Sequence, residues 1–381
     1  MLNLSALFFT TLDQPHFHDE LDLTTEEKTF ISKAKTDVRN ALRRNLSESI
    51  SLELRKHGLP SQTIEPKFYI QGSWAYKTLN RSCQTPPQQS DLDDGVYLPM
   101  SIVKGQGRPS VASALFFEAA ELALSPLARE NNWEVIKKPT CIRIEISDFA
   151  HIDIPLYAIP DDEFLVLRAS MEARNSAVFD SVKGSVPDRW AALPTDKVLL
   201  AHRTENWLKS DPRAMNDWFV QEVEDKGIQF RRIVRYLKAF RDMQWPVRGP
   251  SSILLMAASA LIFEGRHARD DLALVDVLEK LPGVLREGVV SPIDDEIYLT
   301  DALTADDLED AALKYEEFHK YLRAAINCSN QEQACVWVGQ MLGKRFPIRP
   351  DLIVAATVAS VVTSAAAEPG PLELAKTTKA G

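Results

Sequence analysis

Apolar residues at Phe30, Ile31, Ala34, Val38, Ala41 and Leu42 recur every three or four positions, a spacing that predicts a helix with one buried stripe. Thr24 and Glu27 stand at capping-box spacing, so this helix is expected to open at Thr24. It should run to about His57, where Gly58 can stop it. Lys67 to Ile70 turns extended before Gly72-Ser73. Pro86-Pro87-Gln88-Gln89-Ser90 reads as a loop. Leu92 and the run Val96-Tyr97-Leu98 then suggest a strand, interrupted or bulged near Gly95.

A second helix is expected over Ser110 to Glu130. Two strands follow, Thr140 to Ile146 and His151 to Tyr157, the first with the strict alternation of a half-buried strand. From about Lys197 the pattern is mostly helical. Ser210-Asp211-Pro212 should cap and open one helix, with Ser210 as cap. Phe230 to Trp245 forms another, carrying Ile233, Leu237 and Phe240 on one face. Gly249-Pro250-Ser251-Ser252 opens an apolar helix, Ile253 to Phe263, and a last apolar helix ends near Glu368. The tail 369–381 lacks a burial pattern and is expected to be mobile. Strands early and helices late predict an α+β lobe followed by a helical lobe.

Composition narrows the classes. At 381 residues, two lobes are the natural prior. With 45% apolar and 26% charged residues, the chain can bury a full core. The N-terminus lacks a basic region and a small-residue cleavage site, so no signal peptide is predicted. The apolar run Leu352 to Val362 is too short to cross a bilayer. Cys83, Cys141, Cys328 and Cys335 form no CxxC pair, which argues for reduced thiols in the cytoplasm. A net charge of −10 argues against broad nucleic-acid binding but leaves small anionic substrates open.

Candidate chemistry begins at Asp91-Leu92-Asp93. Alternate residues of a strand share a face, so Asp91 and Asp93 would project together. Asp153 lies between Ile152 and Ile154, whose side chains face the core, so its own emerges opposite, with that of His151. Three carboxylates from adjacent strands suit two Mg²⁺ ions, for which Mn²⁺ can substitute, because hard cations take oxygen ligands. Other readings stay open. Asp93-Asp94-Gly95 has the composition of a hairpin turn. Asp153 could pair with Arg143 instead of a metal. Gly72-Ser73 lets a phosphate approach the backbone closely, yet the pair is equally compatible with an ordinary turn.

Gly-Ser, then Asp-x-Asp, then a strand-borne Asp resembles the DNA polymerase β-type nucleotidyltransferases. The stretches QGSWAYKTLNR, DLDDGVYLPM, HIDIPLYAIP, RYLKAFRDMQW and GPSSILLMAA resemble, in order, the cGAS/DncV-like nucleotidyltransferases (CD-NTases). These are bacterial relatives of animal cGAS that serve in CBASS anti-phage defence. The resemblance implies a polymerase β-like core, a mixed sheet with flanking helices, over 1–205 together with the long N-terminal helix. A helical lobe over 206–367 would close the nucleotide cleft, and 368–381 would be tail.

By the same resemblance Asp91, Asp93 and Asp153 bind two Mg²⁺, and Asp153 also helps to deprotonate the attacking ribose 3′-hydroxyl. Gln71, Ser73 and Tyr76 would hold the donor nucleotide, with Ser73 on its terminal phosphates. Lys238 and Ser252 would grip the triphosphate. A lysine suits phosphate as a point charge, although a solvated helix face is the commoner fate of such a residue. Arg143 would contact a base, and Ser210 and Asp295 match further nucleotide-side positions.

The implied activity joins ATP and GTP into 3′,3′-cyclic GMP-AMP, releasing pyrophosphate, as second messenger for a CBASS effector. A linear oligoadenylate-type synthase, transfer to a small acceptor, and a non-catalytic nucleotide sensor are the alternatives. No His/Cys cluster of a DNA-sensing zinc insertion is present, so double-stranded DNA is not an expected partner, nor is a membrane. Gly381 resembles tails that an E1/E2-like ligase conjugates to targets.

Overall fold

The computed structural model describes residues 1–56, 58, 60, 61, 63–101, 109–162, 164, 197–204 and 207–355. The expected end of the last apolar helix, the tail and Gly381 lie outside the described residues. The chain opens with β1 (Leu2–Asn3), α1 (Ser5–Phe8) and α2 (Phe17–Glu20), followed by the long α3 (Thr25–Lys56). The capping box is present: Thr24 Oγ1 accepts from the Glu27 amide at 3.1 Å, and Glu27 Oε2 accepts from the Thr24 amide at 2.8 Å. Gly58 sits at φ +71, the left-handed geometry that ends a helix. Ile31, Ala34, Val38, Ala41 and Leu42 are buried as expected. Phe30 is not; at 38% exposure it lies beside the Phe149 ring.

Next come β2 (Lys67–Gln71), α4 (Gly72–Ala75), β3 (Ser90–Pro99) and α5 (Pro109–Asn131). The strand β3 runs unbroken through Gly95, so neither the expected interruption nor the hairpin turn at Asp93-Asp94-Gly95 exists. β4 (Glu134–Lys137), β5 (Cys141–Ser147) and β6 (Ala150–Ile159) follow, then short β7 (Leu199–Leu200) and β8 (Leu208–Lys209). Helices dominate the rest: α6 (Pro212–Lys226), α7 (Ile228–Gln244), α8 (Ser252–Ile262) and α9 (Asp270–Glu287). The chain continues through β9 (Val290–Ser291), β10 (Asp294–Tyr298), α10 (Ala305–Asn327), α11 (Gln331–Leu342) and β11 (Val354–Ala355). Asp211, not Ser210, caps α6: its Oδ1 accepts from the Arg213 amide at 2.9 Å, leaving Pro212 in the first turn, where no amide is needed.

Two compact units result, one of residues 23–79 and 85–218, the other of 1–22, 80–84 and 219–381. This differs from a division at 205, for a physical reason. In the second unit β1 pairs with β11, Asp271 accepts from the Leu4 amide and the Ser5 hydroxyl, and Phe8 and Phe17 pack on Tyr236 and Phe346. The N-terminal segment is therefore core to the helical unit.

The first unit is built on a mixed sheet of order β2-β3-β6-β5-β4, extended by β7 and β8 beyond β6. β3 and β6 run parallel; β2 on β3, and β5 on β6, run antiparallel. One face carries Leu92, Val96, Leu98, Ile152, Ile154 and Leu156, packed with Val38 and Leu42 of α3 and Phe116 and Leu124 of α5. Burying each such side chain is worth roughly 1.5–3 kcal/mol, which fixes strand register and hence the opposite face. Asp94 is the one carboxylate of β3 on the core side. It is 1% exposed and held by Arg39, whose Nε and Nη2 donate at 2.6 and 2.5 Å.

Candidate active site

A single register row crosses four strands on the face away from the helices. Gln71 of β2 lies opposite Asp93 of β3, Asp93 beside Asp153 of β6, and Asp153 opposite Arg143 of β5. The adjacent row sets Asp91 beside His151. Residues two apart on a strand share a face, so Asp91, Asp93, His151 and Asp153 form a two-by-two array.

Within that array Asp91, His151 and Asp153 each offer a ligand atom within 4.8 Å of the others. Asp91 Oδ1 approaches His151 Nε2 at 3.0 Å, yet both are buried atoms without a hydrogen bond among the described residues. Buried polar atoms without partners are costly, and two acceptor-rich groups aimed at one point suit a cation between them. The donor set therefore fits a divalent metal. Asp93 projects from the same face, but its carboxylate lies against the turn between β2 and α4. A Cβ on Gly72 would stand 1.9 Å from Asp93 Oδ2, and Gly72 has φ +62. Glycine is required there for space and for conformation.

Arg143 grips Asp153 with a fork, Nε to Oδ1 and Nη2 to Oδ2, each at 2.7 Å. The ion pair left open by the sequence thus exists. Burial opposes the Arg143 charge, but hydrogen bonds and attraction from Asp153 outweigh it and raise the guanidinium pKa. Next to this fork, burial and then the Asp153 charge push the Cys141 thiol up to about 12, so it is no nucleophile.

Gln71 was expected to hold a nucleotide; its side chain is buried and engaged by tyrosines. Its Nε2 donates to Tyr97 Oη at 3.2 Å, and Tyr157 Oη donates to its Oε1 at 3.0 Å. The two rings stack at 4.7 Å. Gly95 makes room, since a Cβ there would meet Gln71 Nε2 at 2.0 Å. The glycine that looked like a bulge is thus the seat of a side chain from the next strand. Tyr76 is buried, and desolvation, then the Asp93 charge, raise its pKa. Ser73 is half-buried in α4, and Ser210 is exposed.

Lys238, Ser252 and Asp295 belong to the other unit. Lys238 is only 3% exposed on α7, so the solvated-face reading fails. Ser252 Oγ accepts from Arg241 Nη1 at 2.9 Å at the start of α8. Asp295 is exposed on β10 beside Asp294. His151 is the member of the site that sequence reasoning passed over as a ligand. The signal was present in His151-Ile152-Asp153, whose spacing puts histidine on the same face as the carboxylate.

Two family models match the chain: the nucleotidyltransferase domain of the DncV-like cyclic GMP-AMP synthases over residues 66–157, and the C-terminal domain of cyclic GMP-AMP synthases over 227–356. A cyclic GMP-AMP synthase of Vibrio cholerae is 39% identical over 243 residues, 60% of this chain and 55% of that relative. An Escherichia coli cyclic GMP-AMP synthase is 35% identical over 321 residues, 80% of this chain and 71% of the relative. Crystal structures of Vibrio cholerae DncV superpose with a TM-score of 0.78 at 28% identity for the complex with the linear intermediate pppA(3′,5′)pG, covering 93% of this chain and 99% of that one. The complex with nonhydrolysable GTP gives a TM-score of 0.76 at the same identity, covering 94% and all of that chain.

Proposed function

This chain belongs to the family of DncV-like cyclic GMP-AMP synthases, and from that premise we propose that it joins ATP and GTP into 3′,3′-cyclic GMP-AMP by two nucleotidyl transfers, releasing pyrophosphate each time. The observation that carries the reading is the convergence of Asp91 and Asp153 on adjacent parallel strands, where Asp91 Oδ1 is buried without a hydrogen bond among the described residues. Asp91, Asp93 and Asp153 would hold two Mg²⁺. When bound, the metal supplies Lewis-acid stabilisation of charge at the α-phosphate and lowers the pKa of the attacking 3′-hydroxyl.

The protein's own groups orient the reactants. Asp153 accepts the 3′-hydroxyl proton, and the Gly72 turn brings backbone to the donor phosphates without a side chain in the way. Ser73 and Tyr76 line that turn, while Lys238 and Ser252 take the triphosphate. Arg143 and Asp295 serve base contacts, and Ser210 serves the nucleotide side. Gln71 would hold the donor nucleotide through its backbone, since Tyr97 and Tyr157 take its side chain.

The product would act on a CBASS effector. Gly381 would be the site at which an E1/E2-like ligase attaches the chain to targets. Mass spectrometry of the product from mixed ATP and GTP with Mg²⁺ tests the reading. A cyclic dinucleotide that resists phosphatase is expected. A linear oligomer would leave the fold with a different chemistry, and no product would count against catalysis.

A further inference from the structure

His151 is oriented by a chain of hydrogen bonds that determines which of its nitrogens is bare. Gln89 Nε2 donates to the Ser147 carbonyl at 3.2 Å, so the Gln89 amide oxygen is the end that faces His151. That oxygen lies 2.8 Å from His151 Nδ1 and can only accept, so Nδ1 carries the hydrogen. In that tautomer Nε2 is the nitrogen left to bind a metal ion. It points at Asp91 Oδ1, 3.0 Å away, another acceptor. The histidine side chain is 7% exposed, and neither Nε2 nor Oδ1 has a hydrogen bond among the described residues. Two such atoms at that range, with Asp153 beside them, call for a positive centre, a proton on Nε2 or a metal ion, and the three donor atoms within 4.8 Å of one another suit the ion.

We propose that His151 Nε2 is a nitrogen ligand of the cation held by Asp91 and Asp153, making this a mixed oxygen–nitrogen site. The proposal rests on the metal-dependent reading of the site and deepens it. The support given to Nδ1 is what a ligating histidine receives, an outer acceptor that fixes tautomer and ring angle. Gln89 in turn is anchored at the end of β5, on the same sheet, so donor and support move as one body. An imidazole nitrogen suits first-row transition ions, whereas Mg²⁺ prefers oxygen and water. The site should therefore favour Mn²⁺ over Mg²⁺ more strongly than three carboxylates alone would.

Electron paramagnetic resonance of Mn²⁺ bound to the purified full chain, with and without a nonhydrolysable nucleoside triphosphate, tests this. Nitrogen modulation is expected from wild-type protein, and growth on ¹⁵N-histidine should convert it to the ¹⁵N pattern, which needs no mutant. His151→Gln should abolish the modulation and weaken Mn²⁺ binding about tenfold, with a smaller effect on Mg²⁺ measured by competition. Mn²⁺ that is lost on Asp91→Asn but shows no histidine nitrogen in wild type would overturn the histidine ligand and leave the metal site standing. Mn²⁺ binding indifferent to Asp91→Asn, or no binding under either condition, would overturn the metal reading itself.

Discussion

Arg143 occupies both carboxylate oxygens of Asp153 from the neighbouring strand, through two hydrogen bonds of 2.7 Å. The guanidinium is thus the counter-ion of Asp153 in the metal-free protein. Arg143→Met should leave a mostly buried carboxylate unpaired and cost about 3 kcal/mol in the absence of metal. Saturating Mg²⁺ with nucleotide should return part of that loss. Thermal unfolding of wild type and variant, with and without Mg²⁺ and nucleotide, checks both signs. Equal destabilisation under both conditions would mean that metal and arginine do not share Asp153.

Gly72→Ala introduces a methyl group 1.9 Å from Asp93 Oδ2 in a left-handed backbone. The backbone strain alone is worth about 1–2 kcal/mol, a modest fall in melting temperature. Displacing Asp93 should lower kcat/KM by at least about a hundredfold, since a small misplacement at a reacting centre carries that penalty. Parallel melting curves and steady-state kinetics separate the two. A variant that melts early but turns over normally would remove Asp93 from the chemistry.

Asp94 offers the contrast. It adjoins Asp93 in sequence but faces the core and pairs with Arg39. Asp94→Asn should reduce stability by about 3–5 kcal/mol, read from urea denaturation. Wherever the variant remains folded, Mn²⁺ affinity should match wild type. Asp93→Asn should show the reverse pattern, near-native stability and impaired turnover.

His18 gives the helical unit a pH dependence. Burial, then the charge of Arg235, lowers its pKa to about 4 from 6.5; Arg235 Nη1 lies 2.9 Å from its Nε2. The ring is neutral when folded and protonates more readily when unfolded, so the unfolded state binds more protons between those values. Stability should fall as pH drops from about 6.5 toward 4, by on the order of 2–3 kcal/mol. His18→Gln should flatten this window in urea titrations at stepped pH. An unchanged slope would assign the effect to other groups.

What the sequence made legible follows from locality. The capping box at Thr24 and Glu27 lies within one turn. The shared face of Asp91, Asp93 and Asp153 follows from the two-residue strand period, and Arg143 was close enough in sequence to be named as partner of Asp153. What escaped was set at a distance. Gly95 looked like a bulge because the side chain that fills its space, Gln71, arrives from another strand. Leu2 to Leu21 gave no sign that it belongs with α7, α9 and β11, because only the folded chain brings Asp271 to Leu4 and Tyr236 to Phe8. The partner of Asp94 could not be named from the sequence, because Arg39 comes from α3, 55 residues away.

The row from Gln71 through Asp93 and Asp153 to Arg143 has a consequence for how this chain can change. Sliding either central strand by one residue would exchange aspartates for Leu92 or Ile152, sending charge into the core and apolar side chains onto the opposite face. Insertions and deletions can be absorbed only in the loops. The carboxylate row and the apolar core of this sheet are two sides of one alignment, so variation that preserves both must come by substitution at the rim.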